Sequence, residues 1–184
     1  NWEQALDGAM LGILFNQGQV CCAGSRIFVQ DTIYDKFVAE LSTLFNNVKV
    51  GLPWNDDTQL GSAIYEGQVR KVLEYVEIAK QEGATIAAGG VRVTEDGLDK
   101  GCFVRPTLIT NVTNDMRVAR EEIFGPVAVI IKFHSEEEVI EMANDSQYGL
   151  GGGVFTQNIN RSIRVARAVE TGRMWVNTYN SIPA

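Results

Sequence analysis

Residues 127–133 read Val-Ala-Val-Ile-Ile-Lys-Phe, five apolar side chains in succession before the first charge. A run of this kind suits a strand covered on both faces, and such strands belong to sheets flanked by helices. Segments of helical periodicity alternate with strand-like runs on either side of it. Trp2 to Leu14 repeats apolar residues at helical spacing (Trp2, Ala5, Leu6, Ala9, Met10, Ile13). Asp31 can cap a helix whose apolar face is Ile33, Phe37, Val38, Leu41, Leu44 and Phe45. A third helix is expected from about Tyr65 to Gln81, with Val69, Val72, Leu73 and Val76 inward and Gly83 as its stop. Ser135 and Glu138 form a capping box for a helix to Asn144, and Asn158 to Glu170 is the last helix, ended by Gly172. Ser25–Gln30, Ala84–Ala88, Cys102–Ile109, Leu150–Phe155 and Arg173–Tyr179 read as strands. The alternation predicts an α/β fold: an open, mostly parallel twisted sheet flanked by helices, with right-handed crossovers. In such sheets chemistry collects in loops at one edge of the strands. The 184 residues fit a single domain, 1–184, with a full core.

The net charge of −7 argues against a nucleic-acid partner and against an anionic membrane surface. No apolar run approaches the ~18–20 residues of a membrane span, and no signal peptide opens the chain. Three cysteines cannot all pair, and a bridge between adjacent Cys21 and Cys22 would close a strained ring. A reducing, cytoplasmic compartment is therefore expected. The sequence starts at Asn1 rather than Met and stops at Pro183-Ala184 after an apolar segment, which reads as a piece of a longer polypeptide.

Few residues can carry chemistry. Zinc needs about four ligands at set spacing. Here there is one histidine, His134, and Cys102 lies far from the other cysteines, so no metal is expected. His134, before Ser-Glu-Glu-Glu, reads as a surface residue near acids. No G-x-S-x-G elbow is present. The glycine-rich stretch Gly149–Phe155 lacks both the Walker lysine and the dinucleotide glycine order, and reads as close strand packing. What remains is Cys21-Cys22, bracketed by Gly18 and Gly24 between a helix and a strand. On residues alone the pair is either two packed structural thiols or a reactive thiol presented by a tight bend. A thiol just after a helix C-terminus faces the negative end of the dipole, which opposes ionisation, and Arg26 is the only nearby cation.

Gly18-Gln19-Val20-Cys21, continuing Cys22-Ala23-Gly24-Ser25-Arg26, resembles the active-site signature of the NAD(P)-dependent aldehyde dehydrogenase superfamily. Glu121-Glu122-Ile123-Phe124-Gly125-Pro126-Val127 resembles a second signature, and the ending Trp-Val-Asn-Thr-Tyr-Asn-Ser-Ile-Pro-Ala a third. Order and spacing agree along the whole chain. The resemblance implies the catalytic domain of an enzyme that oxidises a small-molecule aldehyde to an acid with NAD or NADP. It implies that Cys21 is the nucleophile, working through a thiohemiacetal and a thioester, with its backbone N–H helping to hold the oxyanion. Glu122 matches the residue that binds the nicotinamide-side ribose, and Phe124 the one packing near the nicotinamide. Gln68 and Lys71, one helical turn apart, resemble positions approaching cofactor ribose. Val20, Cys22, Asn180 and Ile182 match substrate-tunnel positions, and Asn177 matches an asparagine near the active site.

The family's glutamate base sits in an ELGG-like motif, and its second oxyanion donor is an asparagine; neither motif occurs in this sequence. The resemblance therefore implies a chain without its Rossmann-like cofactor-binding domain and without the C-terminal oligomerisation segment. Its partners would be that missing domain and, for the full-length parent, copies in a homodimer or homotetramer. The isolated piece is expected to bind NAD poorly and turn over little aldehyde. Two rival readings are a coenzyme A-acylating relative, which needs no glutamate base, and a non-catalytic truncated module.

Overall fold

The computed structural model describes residues 1–181. In chain order it holds α1 (Trp2–Leu14), a 3-10 turn (Phe15–Gly18), β1 (Arg26–Gln30), α2 (Asp31–Asn47), α3 (Glu66–Gln81), β2 (Thr85–Ala88) and a second 3-10 turn (Glu95–Lys100). There follow β3 (Thr107–Thr110), α4 (Arg117–Arg120), β4 (Val127–Phe133), α5 (Glu136–Asn144), β5 (Gly151–Val154), α6 (Ile159–Ala168) and β6 (Arg173–Val176).

The apolar run is β4, and it occupies the middle of a four-stranded sheet of order β1-β4-β3-β2. It pairs in parallel with β1, from Arg26 opposite Val129 to Gln30 opposite Phe133, and with β3, from Thr107 opposite Val127. Successive side chains point to opposite faces. Val127, Val129 and Ile131 pack with Val69, Val72 and Ala79 of α3. Ala128 and Ile130 pack with Leu6 and Ile13 of α1 and with Phe37, Leu41 and Phe45 of α2. Helices on both faces explain why the strand tolerates no polar residue before Lys132. The strand β2 joins β3 antiparallel, so the parallel character is broken at that edge. The remaining strands, β5 and β6, form a separate parallel pair.

Three expectations are corrected. Cys102–Ile109 is not one strand: only Thr107–Thr110 joins the sheet, and Pro106, which has no N–H to give a ladder, stands where the strand begins. The last strand stops at Val176 because Asn177 turns left-handed, at φ 55°. On α2 the buried stripe is Phe37, Leu41 and Phe45, while Ile33 and Leu44 flank it and stay exposed. The capping box is present: Ser135 Oγ accepts from the Glu138 N–H at 3.1 Å and Glu138 Oε2 accepts from the Ser135 N–H at 3.3 Å. No helix among the described residues is long and apolar enough to cross a membrane.

Candidate active site

Between α1 and β1 the chain makes a bend that no regular element could supply. Asn16, Gln17 and Gly18 are all left-handed, at φ 48°, 58° and 68°. The Asn16 side chain steadies the bend by donating to the Gln19 carbonyl at 3.1 Å, and the Gln19 side chain accepts from the Ile64 N–H at 3.0 Å. The Ala23 N–H then bonds the Val20 carbonyl at 3.1 Å, so Cys21 and Cys22 are the two central residues of a turn. Cys21 is exposed and Cys22 half-buried; both are free thiols. Among the described residues the backbone N–H of Cys21 has no acceptor. Six residues separate Cys21 from the end of α1, and the Gly12 carbonyl of that helix is bonded by the Gly24 N–H at 2.8 Å. Arg26 does not serve the thiol. Its guanidinium donates to the Met142 and Ala143 carbonyls at 3.0 and 2.9 Å, at the C-terminal turn of α5, and to Asn114 Oδ1 at 2.9 Å.

Residues 121–125 form the second wall, tied to the first by glycine. A Cβ on Gly18 would stand 2.1 Å from the Gly125 carbonyl oxygen, so only a bare backbone allows the two loops to touch. Val20, Cys21, Cys22, Glu122 and Phe124 line one cleft of about 670 Å³. The free edges of β1 and β5 line the same cleft. Glu122 is exposed, and Phe124 keeps 38% of its surface open to solvent, although its backbone is left-handed at φ 60°. An open carboxylate beside an aromatic face suits a polyhydroxylated ligand carrying a planar ring.

Gln68 and Lys71 lie behind this wall. The buried Gln68 amide donates to the Ile123 and Phe124 carbonyls at 2.9 and 2.7 Å, and Lys71 Nζ donates to the Glu122 carbonyl at 2.7 Å. Both are occupied in holding the loop, a role the sequence does not show. Glu121 accepts from the Tyr75 hydroxyl at 2.6 Å and from Arg117 Nε and Nη2, both at 2.9 Å. The bonds from Arg117, then from Tyr75, pull the Glu121 carboxyl down to about 2; burial, then Glu121, pushes the Tyr75 phenol up to about 12.

On the far side of the bend, a slot walled by glycines takes Tyr179. Its ring sits against Gly12, Gly24 and Gly153, and its hydroxyl donates to the Cys22 carbonyl at 2.9 Å. Burial, then the neighbouring Cys22, raises its phenol to about 12. The Cys22 thiol points to Asn180 Oδ1, 3.6 Å away, while the buried Asn180 Nδ2 has no partner among the described residues. Asn177 bonds both backbone groups of Thr156, at 2.9 and 3.0 Å, which joins the end of β6 to the end of β5. Replacing Tyr179 with Phe should keep the ring and strand the Cys22 carbonyl, costing about 1–2 kcal/mol. At this length that is roughly 2–8 °C in Tm by calorimetry.

A sequence profile of the aldehyde dehydrogenase family matches residues 1–184. The chain belongs to the aldehyde dehydrogenase family. It is similar to the aldehyde dehydrogenase of Bacillus cereus, solved as an NAD+ complex, with 48% identity and a TM-score of 0.95 over 100% of this chain and 37% of that one. It is also similar to betaine aldehyde dehydrogenase from Staphylococcus aureus in complex with NAD+, with 43% identity and a TM-score of 0.97 over 99% of this chain and 36% of that one. An apo structure of that S. aureus enzyme, again 43% identical, carries a BME-modified cysteine. The chain thus spans little more than a third of the length of these relatives. In this member of the family, Val20, Cys21, Cys22, Glu122 and Phe124 share the cleft. Gln68, Lys71 and Asn180 stand behind its walls, and Ile182 lies outside the described residues. The sequence does not single out Tyr75, Arg117, Glu121 or Tyr179; the only signal is that Glu121 and Tyr179 fall inside two of the signature strings.

Proposed function

We propose that this chain is the thiol-bearing part of an NAD(P)-dependent aldehyde dehydrogenase that converts an aldehyde to a carboxylic acid through a thioester on Cys21. The observation that supports it most is the exposed Cys21 on one wall of a cleft whose other wall presents Glu122 and Phe124. The Cys21 thiolate attacks the aldehyde carbon, forming the Sγ–C bond and placing negative charge on the former carbonyl oxygen. The N–H of Cys21, which has no acceptor among the described residues, would donate to that oxygen. Glu122 would accept from ribose hydroxyls and Phe124 would pack by the nicotinamide. That cofactor, when bound, supplies the hydride acceptor the oxidation requires. Cys21 then carries the acyl group until water displaces it as the acid and the thiol is restored. Val20 gives the substrate side an apolar lining.

The NAD+ complexes of both relatives favour a nicotinamide cofactor. The BME-modified cysteine in one of them favours a thiol open to small reagents. No ELGG-type glutamate occurs in these 184 residues, so the base that activates water would come from polypeptide outside them, as would the adenosine side of the cofactor site. Alone, the chain should turn over little or no aldehyde while keeping an alkylatable thiol. The test is mass spectrometry of the intact polypeptide quenched with aldehyde and NAD+. The acyl mass should appear on the peptide carrying Cys21 and fragment to that residue. An adduct on Cys22, or sustained NADH formation by a Cys21→Ala variant, would sink the reading.

A further inference from the structure

We propose that Glu121, locked under Tyr75 and Arg117, is a positioning residue that sets where the neighbouring Glu122 and Phe124 stand. This rests on the NAD(P) reading above.

Glu121 and Glu122 are chemically identical and adjacent, yet the structure divides them. Both oxygens of Glu121 are taken: Oε1 by Arg117 Nε, and Oε2 by Arg117 Nη2 and the Tyr75 hydroxyl. Both residues border the cleft, but the Glu122 carboxylate has no partner among the described residues, and its carbonyl accepts from Lys71. The division comes from one stripe of α3 and its C-terminal neighbour. Gln68, Lys71, Tyr75 and Glu82 recur at spacings that keep side chains on one helix face. They meet the opposing segment in reversed order. Gln68 takes the Phe124 and Ile123 carbonyls, Lys71 that of Glu122 and Tyr75 the Glu121 carboxylate. Glu82 accepts from the Arg117 N–H at 3.2 and 3.1 Å. Every residue from 121 to 124 is therefore held once by α3.

The loop needs holding. It lies between α4 and β4 and has no ladder of its own, and Phe124 is a left-handed aromatic residue at φ 60°. Such a conformation persists only where its surroundings over-determine it. Because α3 grips carbonyls and the Glu121 side chain, the Glu122 carboxylate and the Phe124 ring are left to present themselves to the cleft. Arg117 and Glu121 are half-exposed, and an exposed ion pair adds little to global stability. The consequence of the lock is placement of the loop rather than survival of the fold.

The variants are Tyr75→Phe, which removes one bond and keeps the ring, and Glu121→Gln, which keeps an acceptor for Tyr75 and removes the charge facing Arg117. Two measurements read them. Hydrogen–deuterium exchange on the 184-residue chain should rise about tenfold at residues 122–125 and stay unchanged in β4 and α1. In the intact polypeptide the KM for NAD+ should rise about tenfold for Glu121→Gln, with kcat and the cofactor-free alkylation rate of Cys21 within about twofold of the parent and Tm within about 3 °C of it. Glu121→Asp, with its shorter reach, should recover less than half of the lost affinity. Unchanged exchange at 122–125 in both variants overturns the proposal. So does a rise spread evenly over the chain with a matching fall in Tm, since that marks a merely structural pair. If the parent polypeptide itself shows no NAD+ dependence, the functional reading fails, and the exchange measurement still decides whether Glu121 positions the loop.

Discussion

Replacing Cys21 with alanine is expected to lower aldehyde oxidation by the intact polypeptide by about 10⁴-fold or more, the scale on which removal of a covalent nucleophile acts. No neighbour can take over. The Cβ of Cys22 packs against Gly151, where an added Cβ would stand 3.1 Å away, and its thiol is turned to Asn180 at 3.6 Å. Cys102 belongs to another part of the fold, where its carbonyl accepts from the Ala63 N–H at 2.8 Å. Cys22→Ala should therefore cost less than about tenfold, through packing of the turn alone. Cys21→Ser should be nearly as inactive as alanine, because a hydroxyl lacks the accessible anion of a thiol. Stopped assays with iodoacetamide give a second readout. The parent chain should lose one equivalent of fast-reacting thiol on Cys21→Ala and none on Cys22→Ala. Activity retained by Cys21→Ala, or lost by Cys22→Ala alone, would refute the assignment.

What the sequence shows of this molecule depends on how far each interaction reaches. Elements defined by their own periodicity are legible: Val127–Phe133 is a strand from end to end, and helices α1, α3 and α5 begin and end within about a residue of where caps and spacing put them. Ile33 and Leu44 show the limit. Both fit the helical pattern, but they flank the stripe of Phe37, Leu41 and Phe45 that meets the core and stay exposed. Pairing is less legible still. Nothing in Thr85–Ala88 announces that it runs antiparallel, or that β5 and β6 form a sheet of their own. The candidate site divides in the same way. A glycine-flanked thiol is a local feature. The bonds from Gln68 to carbonyls 55 and 56 residues away, and from Tyr179 to a carbonyl 157 residues away, leave no local trace. A buried glutamine on a helix reads as an exposed one until the partner loop is in place.

Gly18→Ala should be among the most damaging single methyls in the chain, destabilising it by about 2–5 kcal/mol. Two costs add. An alanine at φ 68° meets the penalty of a left-handed L-residue, about 1–2 kcal/mol. Its Cβ also falls 2.1 Å from the Gly125 oxygen, 2.4 Å from the carbon of the same carbonyl and 2.9 Å from the Ile13 oxygen. All are backbone atoms, so relief requires moving a main chain rather than turning a side chain, an overpacking cost of about 1–3 kcal/mol. Gly83→Ala separates the two. Its φ of 88° is also left-handed, but among the described residues nothing lies within 4 Å of the added methyl, so it should lose only the first cost. The difference in urea-unfolding free energy between the variants then measures the contact between the two loops. The contact has a second consequence, because Gly125 follows Phe124 directly and Gly18 stands three residues before Cys21. Spreading them moves both walls of the cleft at once. Gly18→Ala should change Cys21 alkylation and the exchange of residues 122–125 together, and Gly83→Ala should change neither. If the two alanine variants lose the same stability, the loops are not coupled through this glycine, and the thiol and the Glu122–Phe124 wall must be held in register by other contacts.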